Sequence, residues 1–223
     1  MFDRIAPRYD LLNRVLSMRR DVAWRRRLAR HLPDAPGLRV LDLATGTGDV
    51  LLALHNSCPD MAFGLGVDVA GNMLALARDK IAGRGLDHGL AVMQCDALCL
   101  ALPDGIFDAV TIAFGIRNVP GPEEALREIH RVLRPGGRVL VLEFSLPRNR
   151  PFRALYLAYF RHVLPHIGGL LSGDFEAYRY LNRTAERFPR GGAFCALLEG
   201  AGFGAVHAHP LTFGIATLYQ GDK

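Results

Sequence analysis

Five short apolar runs, separated by segments with helical patterns, constrain the fold of this chain more than any other sequence feature. The runs are LRVLDL (38–43), FGLGVD (63–68), LAVMQ (90–94), FDAVTIAF (107–114) and RVLVLEF (138–144). Runs that are apolar at nearly every position are typical of strands buried on both faces. Helical patterns alternate with them along the chain, and this alternation predicts an α/β fold with a parallel sheet covered by helices on both sides.

The end of the chain follows a different pattern. A helix is predicted over 193–202, and the segments FGAVHAH (203–209) and TFGIATLYQ (212–220) after it alternate between apolar and polar residues. Alternation indicates strands with one face on the core, and we expect these two to form an antiparallel pair that closes the sheet. No repeat or linker interrupts the 223 residues. Their length fits one α/β domain, 1–223, in which 1–36 is a helical lid.

Charge and hydropathy limit the partners and the compartment. The formal net charge is +5, and arginine is concentrated between residues 14 and 30. This basic segment is either the solvated face of a helix or a patch that meets the phosphate of lipid headgroups or nucleic acid. No run approaches the roughly 20 apolar residues that span a bilayer. The first residues lack the apolar core of a signal peptide, so we expect a cytoplasmic protein.

The turn after the first strand, ATGTGD (44–49), suggests a ligand site. Gly46 and Gly48 allow the backbone to come close to a ligand, and open parallel sheets bind ligands at the carboxyl ends of their strands. A dinucleotide fingerprint needs a third glycine at position 51, which is Leu51 here. The pattern that begins at Asp42 suits a ligand with an amino-acid end rather than a diphosphate. A purely structural turn would have the same sequence.

Two further acids follow the next two strands. Asp68 ends the second strand, where a carboxylate can accept both hydroxyls of a ribose. Asp96 follows the third strand, where it can accept from the exocyclic amine of an adenine. The structural alternatives are a cap of the next helix for Asp68 and a solvated loop acid for Asp96. Because the acids and the glycine turn follow three successive strands, we expect them to meet at one site.

Together, VLDLATGTGD, GVDVAGNML, CDA and LRPGGRVLVLEF resemble the class I S-adenosylmethionine-dependent methyltransferases. This resemblance implies a Rossmann-like, seven-stranded, mostly parallel sheet whose last strand is antiparallel, and S-adenosyl-L-methionine as the cofactor. The residues that it assigns to the cofactor are Asp42, Gly46, Thr47, Gly48, Asp68, Asp96 and Ala97. The first glycine of the family's usual turn is replaced by Ala44.

Other segments are similar to a narrower family, the quinone C-methyltransferases. They are MFDRIAPRYDLLNRVLS, AFGIRNV, LVLEFS, HVLPHIG and YRYL, and they lie along nearly the whole chain. The resemblance implies methylation of a prenylated quinol, either demethylmenaquinol, which we favour, or the methoxy-polyprenyl-benzoquinol precursor of ubiquinone. Ala113 departs from the serine that the family commonly places before FG, so it is left out of the expected site.

Methylation at a ring carbon needs a base for the adjacent hydroxyl and a group that stabilises the resulting oxyanion. Arg117, in FGIRNV, is the candidate for the second task, because arginine stays charged at any working pH, and Asn118 could orient the same oxygen. The structural alternative is that Arg117 pairs with Glu143 on the neighbouring strand. For the base the first candidate is Asp10, on the predicted lid. The other candidates for the base are Asp174, Tyr178 and Tyr180.

Several alternatives stay open at this stage. The basic segment allows an RNA methyltransferase, although no nucleic-acid-binding module is found, and the cofactor motifs alone allow a non-catalytic binding protein. His162 and His166 have the spacing of a helical metal pair, but Pro165 lies between them and no acid is near, so no metal is expected. The apolar stretch 152–171 could line a channel for the prenyl tail, touch the inner face of a membrane, or pack in the core. A homodimer is among the partners that the sequence leaves open.

Overall fold

The computed structural model describes residues 17, 19–147, 149–159, 161, 184–186 and 188–223. Within them one sheet has the strand order β3-β2-β1-β4-β5-β7-β6. The strands are β1 (Arg39–Leu43), β2 (Phe63–Asp68), β3 (Leu90–Gln94), β4 (Phe107–Ala113), β5 (Leu133–Phe144), β6 (Gly204–Leu211) and β7 (Ala216–Asp222). β1 to β5 are parallel, and β7 is antiparallel to both of its neighbours. The predicted seven-stranded, mostly parallel sheet with its final strand reversed is confirmed.

Helices cover both faces of this sheet. They are α1 (Arg20–Ala29), α2 (Asp49–Ser57), α3 (Gly71–Ala82), α4 (Pro122–Val132), α5 (Arg150–Ala158) and α6 (Gly192–Gly200). Leu126 of α4 and Phe194 of α6 belong to one buried apolar cluster, and Leu28 of α1 and Leu51 of α2 belong to another. The two clusters correspond to the two faces of the sheet, as expected when strands are apolar at nearly every position.

The sequence of α4 shows why a helix forms between β4 and β5. Pro122 stands in its first turn, where the lack of an N–H costs nothing, and Glu123 beside it carries the negative charge that the amino end of a helix favours. Apolar side chains recur at helical spacing, and Leu126 and Ile129 are fully buried. The helix therefore forms with its apolar face on the sheet, and it returns the chain for the next parallel strand.

The fifth strand begins earlier than the sequence predicts. Leu133 pairs with Phe107 before the register shifts, and regular pairing resumes at Arg138. The glycine turn in this segment leaves the line of the strand, with Gly136 at a φ of 77°. The turn at Pro135, Gly136 and Gly137 is therefore a bulge within β5 rather than a loop before it.

The amino-terminal region is described only in part. Trp24 and Leu28 of α1 are buried in the apolar core, and the Trp24 indole nitrogen donates to Thr212 Oγ1 at 2.8 Å. This part of the segment is therefore packed on the body of the protein. Residues 1–16 lie outside the described residues, so the lid stays a prediction. Among the described helices, none is both long enough and apolar enough to cross a membrane.

Candidate functional site

A cleft of about 330 Å³ lies at the carboxyl edge of the sheet. It is formed by the loops that follow β1, β2, β3 and β4, which is the edge where parallel sheets bind ligands. Its lining includes Leu43, Ala44, Gly46, Val67, Asp68, Val69, Met73, Cys95, Asp96, Ala97, Ala113, Phe114, Gly115, Asn118, Val119 and Pro120. Of the residues predicted for the cofactor, Gly46, Asp68, Asp96 and Ala97 are thus brought to one place.

Asp68 is held in the cleft by two backbone groups. Its Oδ2 accepts from the Gly46 N–H at 2.8 Å, and its Oδ1 accepts from the Ala70 N–H at 2.9 Å. The first bond ties the end of β2 to the turn after β1, and the second begins the approach to α3. A carboxylate has about four acceptor positions, so each oxygen of Asp68 can still accept a hydroxyl from a ligand.

Asp42 lies beneath the turn rather than in the cleft. Its side chain is fully buried, and it accepts from the hydroxyls of Thr45, at 2.7 Å, and Thr111, at 2.5 Å. Burial raises the pKa of Asp42 to about 7, against the opposing effect of the two hydroxyl donors. The contacts of Asp42 fasten the turn after β1 to β4. The described geometry therefore gives it a supporting position, although the sequence groups it with the cofactor residues.

Thr47 and Gly48 hold the other side of the same turn. The buried Thr47 hydroxyl accepts from Lys80 Nζ at 2.9 Å, and Lys80 also bonds Asp49 at 2.7 Å. Gly48 has a φ of 78°, and a Cβ there would lie 3.2 Å from the Cβ of Ala77 on α3. Neither Thr47 nor Gly48 is among the residues that line the cleft. Their contacts fix the turn against α3, and a direct role of either residue toward the cofactor stays a prediction.

The loops after β1 and β4 approach each other closely at the floor of the cleft. A Cβ added to Gly115 would collide with the Ala44 methyl group, and Ala44 has a φ of 50°, in the left-handed region. Sequence reasoning noted Ala44 as a departure from the usual glycine but did not single out Gly115. The signal that could have found it is the FG pair that directly follows β4.

The rim of the cleft suits a flat, largely apolar ring. Val69, Met73, Val119 and Pro120 form apolar walls, and Asp96 stands beside them. Asp96 Oδ1 accepts from the Leu98 N–H at 2.9 Å, which fixes the loop after β3. The sequence alone did not identify these four apolar residues.

The chemistry of these residues fits an adenosyl group. A two-oxygen acceptor for ribose hydroxyls (Asp68), an acid near an apolar slot (Asp96) and a glycine turn share one cavity. Ligand pockets are typically apolar with a few fixed polar groups of this kind. The arrangement can hold an adenosine, and the cleft extends from there to the loop after β4 at Phe114, Gly115 and Asn118.

Arg117 and Glu143 form a buried ion pair where β4 and β5 end. Arg117 Nη1 donates to Glu143 Oε1 at 2.7 Å and to the Phe114 carbonyl at 2.6 Å. The two side chains are only 7% and 1% exposed, and the guanidinium carbon lies 5.3 Å from the centre of the Phe144 ring. The structural alternative for Arg117 is thus present in the geometry.

Asn118, next to Arg117, lines the cleft itself. Its Oδ1 is buried and has no hydrogen-bond partner among the described residues. The rings of Phe114 and Phe144 lie 4.5 Å apart, and Trp24 packs against both. An aromatic wall therefore stands beside the polar groups.

The remaining candidates for catalysis and metal binding cannot be placed. Asp10, Asp174, Tyr178 and Tyr180 lie outside the described residues, as do His162 and His166. A role for Asp10 as a base is therefore untested and remains a prediction.

A family model described as the ubiE/COQ5 methyltransferase family matches residues 1–223. A demethylmenaquinone methyltransferase of Thermus thermophilus is 51% identical to this chain, and the match covers 100% of both proteins. A ubiquinone/menaquinone biosynthesis C-methyltransferase UbiE of Geobacter sulfurreducens is 47% identical over 100% of this chain and 87% of its own. A demethylmenaquinone methyltransferase of Deinococcus radiodurans is 45% identical over 100% and 91%.

Solved structures are similar in fold at low sequence identity. A SAM-dependent methyltransferase from Thermotoga maritima superposes with a TM-score of 0.68 at 20% identity, over 100% of this chain and 98% of its own. An S-adenosylmethionine dependent methyltransferase from Mesorhizobium loti gives 0.63 at 20% identity, over 88% and 96%. These likenesses show the fold.

Proposed function

This chain belongs to the ubiE/COQ5 methyltransferase family, and from that membership we propose that it transfers a methyl group from S-adenosyl-L-methionine to a ring carbon of a prenylated quinol. The observation that carries the proposal is the 51% identity to a demethylmenaquinone methyltransferase over the full length of both proteins. The cleft at the strand ends supports it, because its acids and apolar walls suit an adenosyl group.

Demethylmenaquinol is the substrate that we favour. Relatives named for demethylmenaquinone are 51% and 45% identical to this chain. A relative whose name covers both the ubiquinone and the menaquinone pathway is 47% identical. The identities are too similar to rank the two rings, so the preference for the naphthoquinol is tested by offering both substrates.

In this proposal, the residues of the cleft hold and orient the reactants. S-Adenosylmethionine supplies an activated methyl group on a sulfonium. Asp68 binds the ribose hydroxyls and Asp96 the adenine amine, so that the donor is fixed before the quinol arrives. Much of the rate of such a transfer comes from alignment of the two reactants. The part of the cleft at the loop after β4 is left for the quinol ring.

Arg117 and Asn118 are the residues that we propose for the ring oxygen. A guanidinium that stays charged can stabilise the oxyanion that forms when the hydroxyl loses its proton. The Asn118 side chain lines the cleft, and its amide can donate to the same oxygen. The aromatic wall formed by Trp24, Phe114 and Phe144 would exclude water beside the ring.

The direct test offers labelled S-adenosylmethionine together with a reduced short-chain demethylmenaquinol or the corresponding benzoquinol. We expect label in the methylated naphthoquinone, and calorimetry should show that the cofactor binds. Asp68→Asn should weaken the binding of the cofactor, because it changes the carboxylate that we propose for the ribose hydroxyls. Asp79→Asn is its matched control, since Asp79 is an exposed acid of α3 outside the cleft. A protein that binds the cofactor but labels neither quinol would contradict the proposal and favour a non-catalytic binding protein.

We also propose that the protein touches an anionic membrane surface near this site. Phe213 is 83% exposed and Leu155 is 69% exposed. The Phe213 ring lies 5.7 Å from the Phe152 ring of α5. α5 follows the end of β5, and Phe213 follows the end of β6, so this patch lies at the same edge of the sheet as the cleft. A lipid-soluble quinol would reach the site from that side.

Charge supports the choice of an anionic surface. Arg150 and Arg153 of α5 are exposed, and no residue of this helix is buried. Exposed aromatic and aliphatic side chains beside arginines are typical of helices that lie on anionic lipid. We expect co-sedimentation with vesicles that contain phosphatidylglycerol and weaker binding to pure phosphatidylcholine.

Variants can separate this surface from a general effect of charge. Phe213→Ser combined with Leu155→Ser should abolish vesicle binding, and Arg153→Gln should weaken it, whereas Arg127→Gln on α4 is the control and should not. Equal binding by all variants would contradict the proposal.

A homodimer also stays a prediction, and sedimentation velocity of the protein without lipid would test it.

A further inference from the structure

Three buried polar atoms have no hydrogen-bond partner among the described residues and stand together at the ends of β4 and β5. They are Arg117 Nε, Asn118 Oδ1 and Glu143 Oε2. Buried polar groups in proteins are nearly always paired, since an unmade hydrogen bond in the interior costs free energy. Asn118 lines the cleft where we expect the quinol ring, whereas Arg117 and Glu143 lie behind that lining. Arg117 connects the two, as the chain neighbour of Asn118 and the ion-pair partner of Glu143.

The rest of the same pair is firmly held. Glu143 Oε1 accepts from Arg117 Nη1 at 2.7 Å and from the Phe144 N–H at 2.7 Å. Arg117 Nη1 also donates to the Phe114 carbonyl. Glu143 Oε1 is therefore fixed by two donors, and the Arg117 backbone N–H also acts on the carboxylate. Oε2 has no hydrogen-bond partner among the described residues. The Glu143 carboxylate is therefore held in one orientation and keeps an oxygen that can accept a proton.

We propose that Glu143 is the proton acceptor of the reaction and that its Oε2 takes the proton of the ring hydroxyl next to the methylated carbon. This inference rests on the function proposed above. It gives the ion pair two tasks, because Arg117 stabilises the oxygen that Glu143 deprotonates.

The step balances without any further reactant. The O–H bond of the ring hydroxyl breaks, and a new O–H bond forms at Glu143 Oε2. The electron pair left on the ring oxygen raises the electron density at the adjacent carbon, which forms its bond to the methyl group while the sulfonium–methyl bond breaks with its pair on sulfur. The ring carbon then loses its hydrogen to water as a proton, and the C–H electron pair restores the aromatic ring and returns the negative charge to the ring oxygen. This oxygen takes back the proton from Glu143 Oε2, which restores the carboxylate and the quinol, so that one proton is released in all.

The surroundings of Glu143 suit a base better than those of an exposed acid. Burial raises the pKa of Glu143, while the Arg117 guanidinium and the Phe144 N–H act in the opposite direction. Among the described residues, Tyr219 of β7 is the other titratable group that interacts electrostatically with Glu143. A carboxylate whose pKa lies above its ordinary value is a stronger base, which general-base catalysis near neutral pH requires.

The test compares the wild type with Glu143→Gln, which keeps the shape of the side chain and an oxygen for the Arg117 and Phe144 donors. We expect kcat to fall by about 100-fold or more, while the calorimetric affinity for S-adenosylmethionine is unchanged. The wild-type kcat/KM should fall on the acid side as Glu143 is protonated. In the variant this acid limb, the fall in rate at the pKa of Glu143, should disappear, and the residual rate should instead follow, at higher pH, the ionisation of the quinol hydroxyl.

Asp108→Asn is the matched control. Asp108 is also a buried carboxylate paired with an arginine, Arg134, but it stands at the opposite end of β4. This variant should keep the wild-type pH profile. Infrared difference spectra give a readout besides activity, because a protonated carboxyl band that titrates with the acid limb should be present in the wild type and absent from Glu143→Gln.

Each alternative has its own outcome. If Glu143 only positions Arg117, the variant loses rate but keeps the acid limb, which would overturn the proposal. If Glu143→Gln does not fold, the wild type alone tests the proposal, and a wild-type pH profile that does not fall on the acid side would overturn the proposal. If the wild type methylates no quinol at all, it is the proposed function that fails, and the two failures are distinguishable.

Discussion

Asp42 shows how one buried carboxyl couples stability to pH. Its pKa in the folded protein is about 7 against an ordinary value of 3.8. Between these values the folded state binds more protons than the unfolded state, so this group makes folding less favourable as the pH rises from about 4 to about 7. Three pKa units correspond to at most about 4 kcal/mol.

We therefore expect the stability of Asp42→Asn, relative to the wild type, to improve across this pH range. Urea unfolding at pH 4.5 and at pH 7.5 would measure the change. Thr111→Val is the control in the other direction, because it removes a hydroxyl that stabilises the charged form and should steepen the wild-type dependence. A difference between Asp42→Asn and the wild type that does not vary with pH would contradict this account.

At the level of single residues, the sequence predicted that acids after successive strands meet at one cleft, but it could not tell which of them line the cleft and which support it. Asp42 lies one residue before the end of β1 and Asp68 ends β2, so the two acids have similar positions in the sequence pattern. The structure places Asp68 in the cleft and Asp42 beneath the turn. Asp42 pairs with Gly66, so Asp68 lies on the same face of the sheet but two residues nearer the strand ends. This offset, and the closure of Thr45 and Thr111 over Asp42, are fixed only by folding.

The loops after β1 and β4 supply a prediction at the scale of elements. Gly115→Ala should force these loops apart, because its methyl group would collide with that of Ala44. Overpacking of this kind typically costs about 1–3 kcal/mol, and here it should also weaken cofactor binding. The φ of Gly115 is −108°, which alanine adopts freely, so the collision alone should be responsible.

A second substitution can test that cause. Ala44→Gly removes the colliding methyl group and relieves a φ of 50°, so the double variant should recover both stability and cofactor affinity. Thermal unfolding and calorimetric titration would measure the coupling between the two positions. Gly89→Ala is the control, since a Cβ there meets nothing within 4 Å. Additive effects of the two substitutions would exclude direct contact as the explanation.

The elements themselves were largely predictable, because buried parallel strands have a distinctive composition. β2 and β3 have the bounds of the predicted apolar runs, β1 begins one residue later than its run, and β4 ends one residue earlier. The segment at Thr212–Gly214 was assigned to a strand, but it forms a 3-10 turn with Phe213 at a φ of 57°. TFG alternates like a strand, and its left-handed backbone depends on tertiary contacts such as the bond from Trp24 to Thr212.

For the whole molecule, cofactor binding should be visible as stability. A ligand at 100 times its dissociation constant adds about 2.7 kcal/mol to a protein that binds it only when folded. We expect S-adenosylmethionine to raise the unfolding temperature of the wild type and of Asp79→Asn, but not that of Asp68→Asn. An equal shift in all three would remove Asp68 from the binding site.

The single domain, 1–223, remains a prediction of the sequence, and the same calorimetric scan tests it. One domain should unfold in one transition, with equal calorimetric and van't Hoff enthalpies. Two separable transitions would show that part of the chain folds independently. The described sheet joins strands from both halves of the sequence, with β7 paired to β5 along seven positions, which is why we expect the single transition.

The reversed strand has a consequence for how the protein is made. β7 lies between β5 and β6, and it is the only described neighbour of β6. On the ribosome β6 therefore emerges before the strand that must join it to the sheet, and it waits without a partner. A chain cut short between the two would leave both β5 and β6 with open edges, which invite pairing with other chains. Quality control during synthesis should therefore be most sensitive to damage in these final strands.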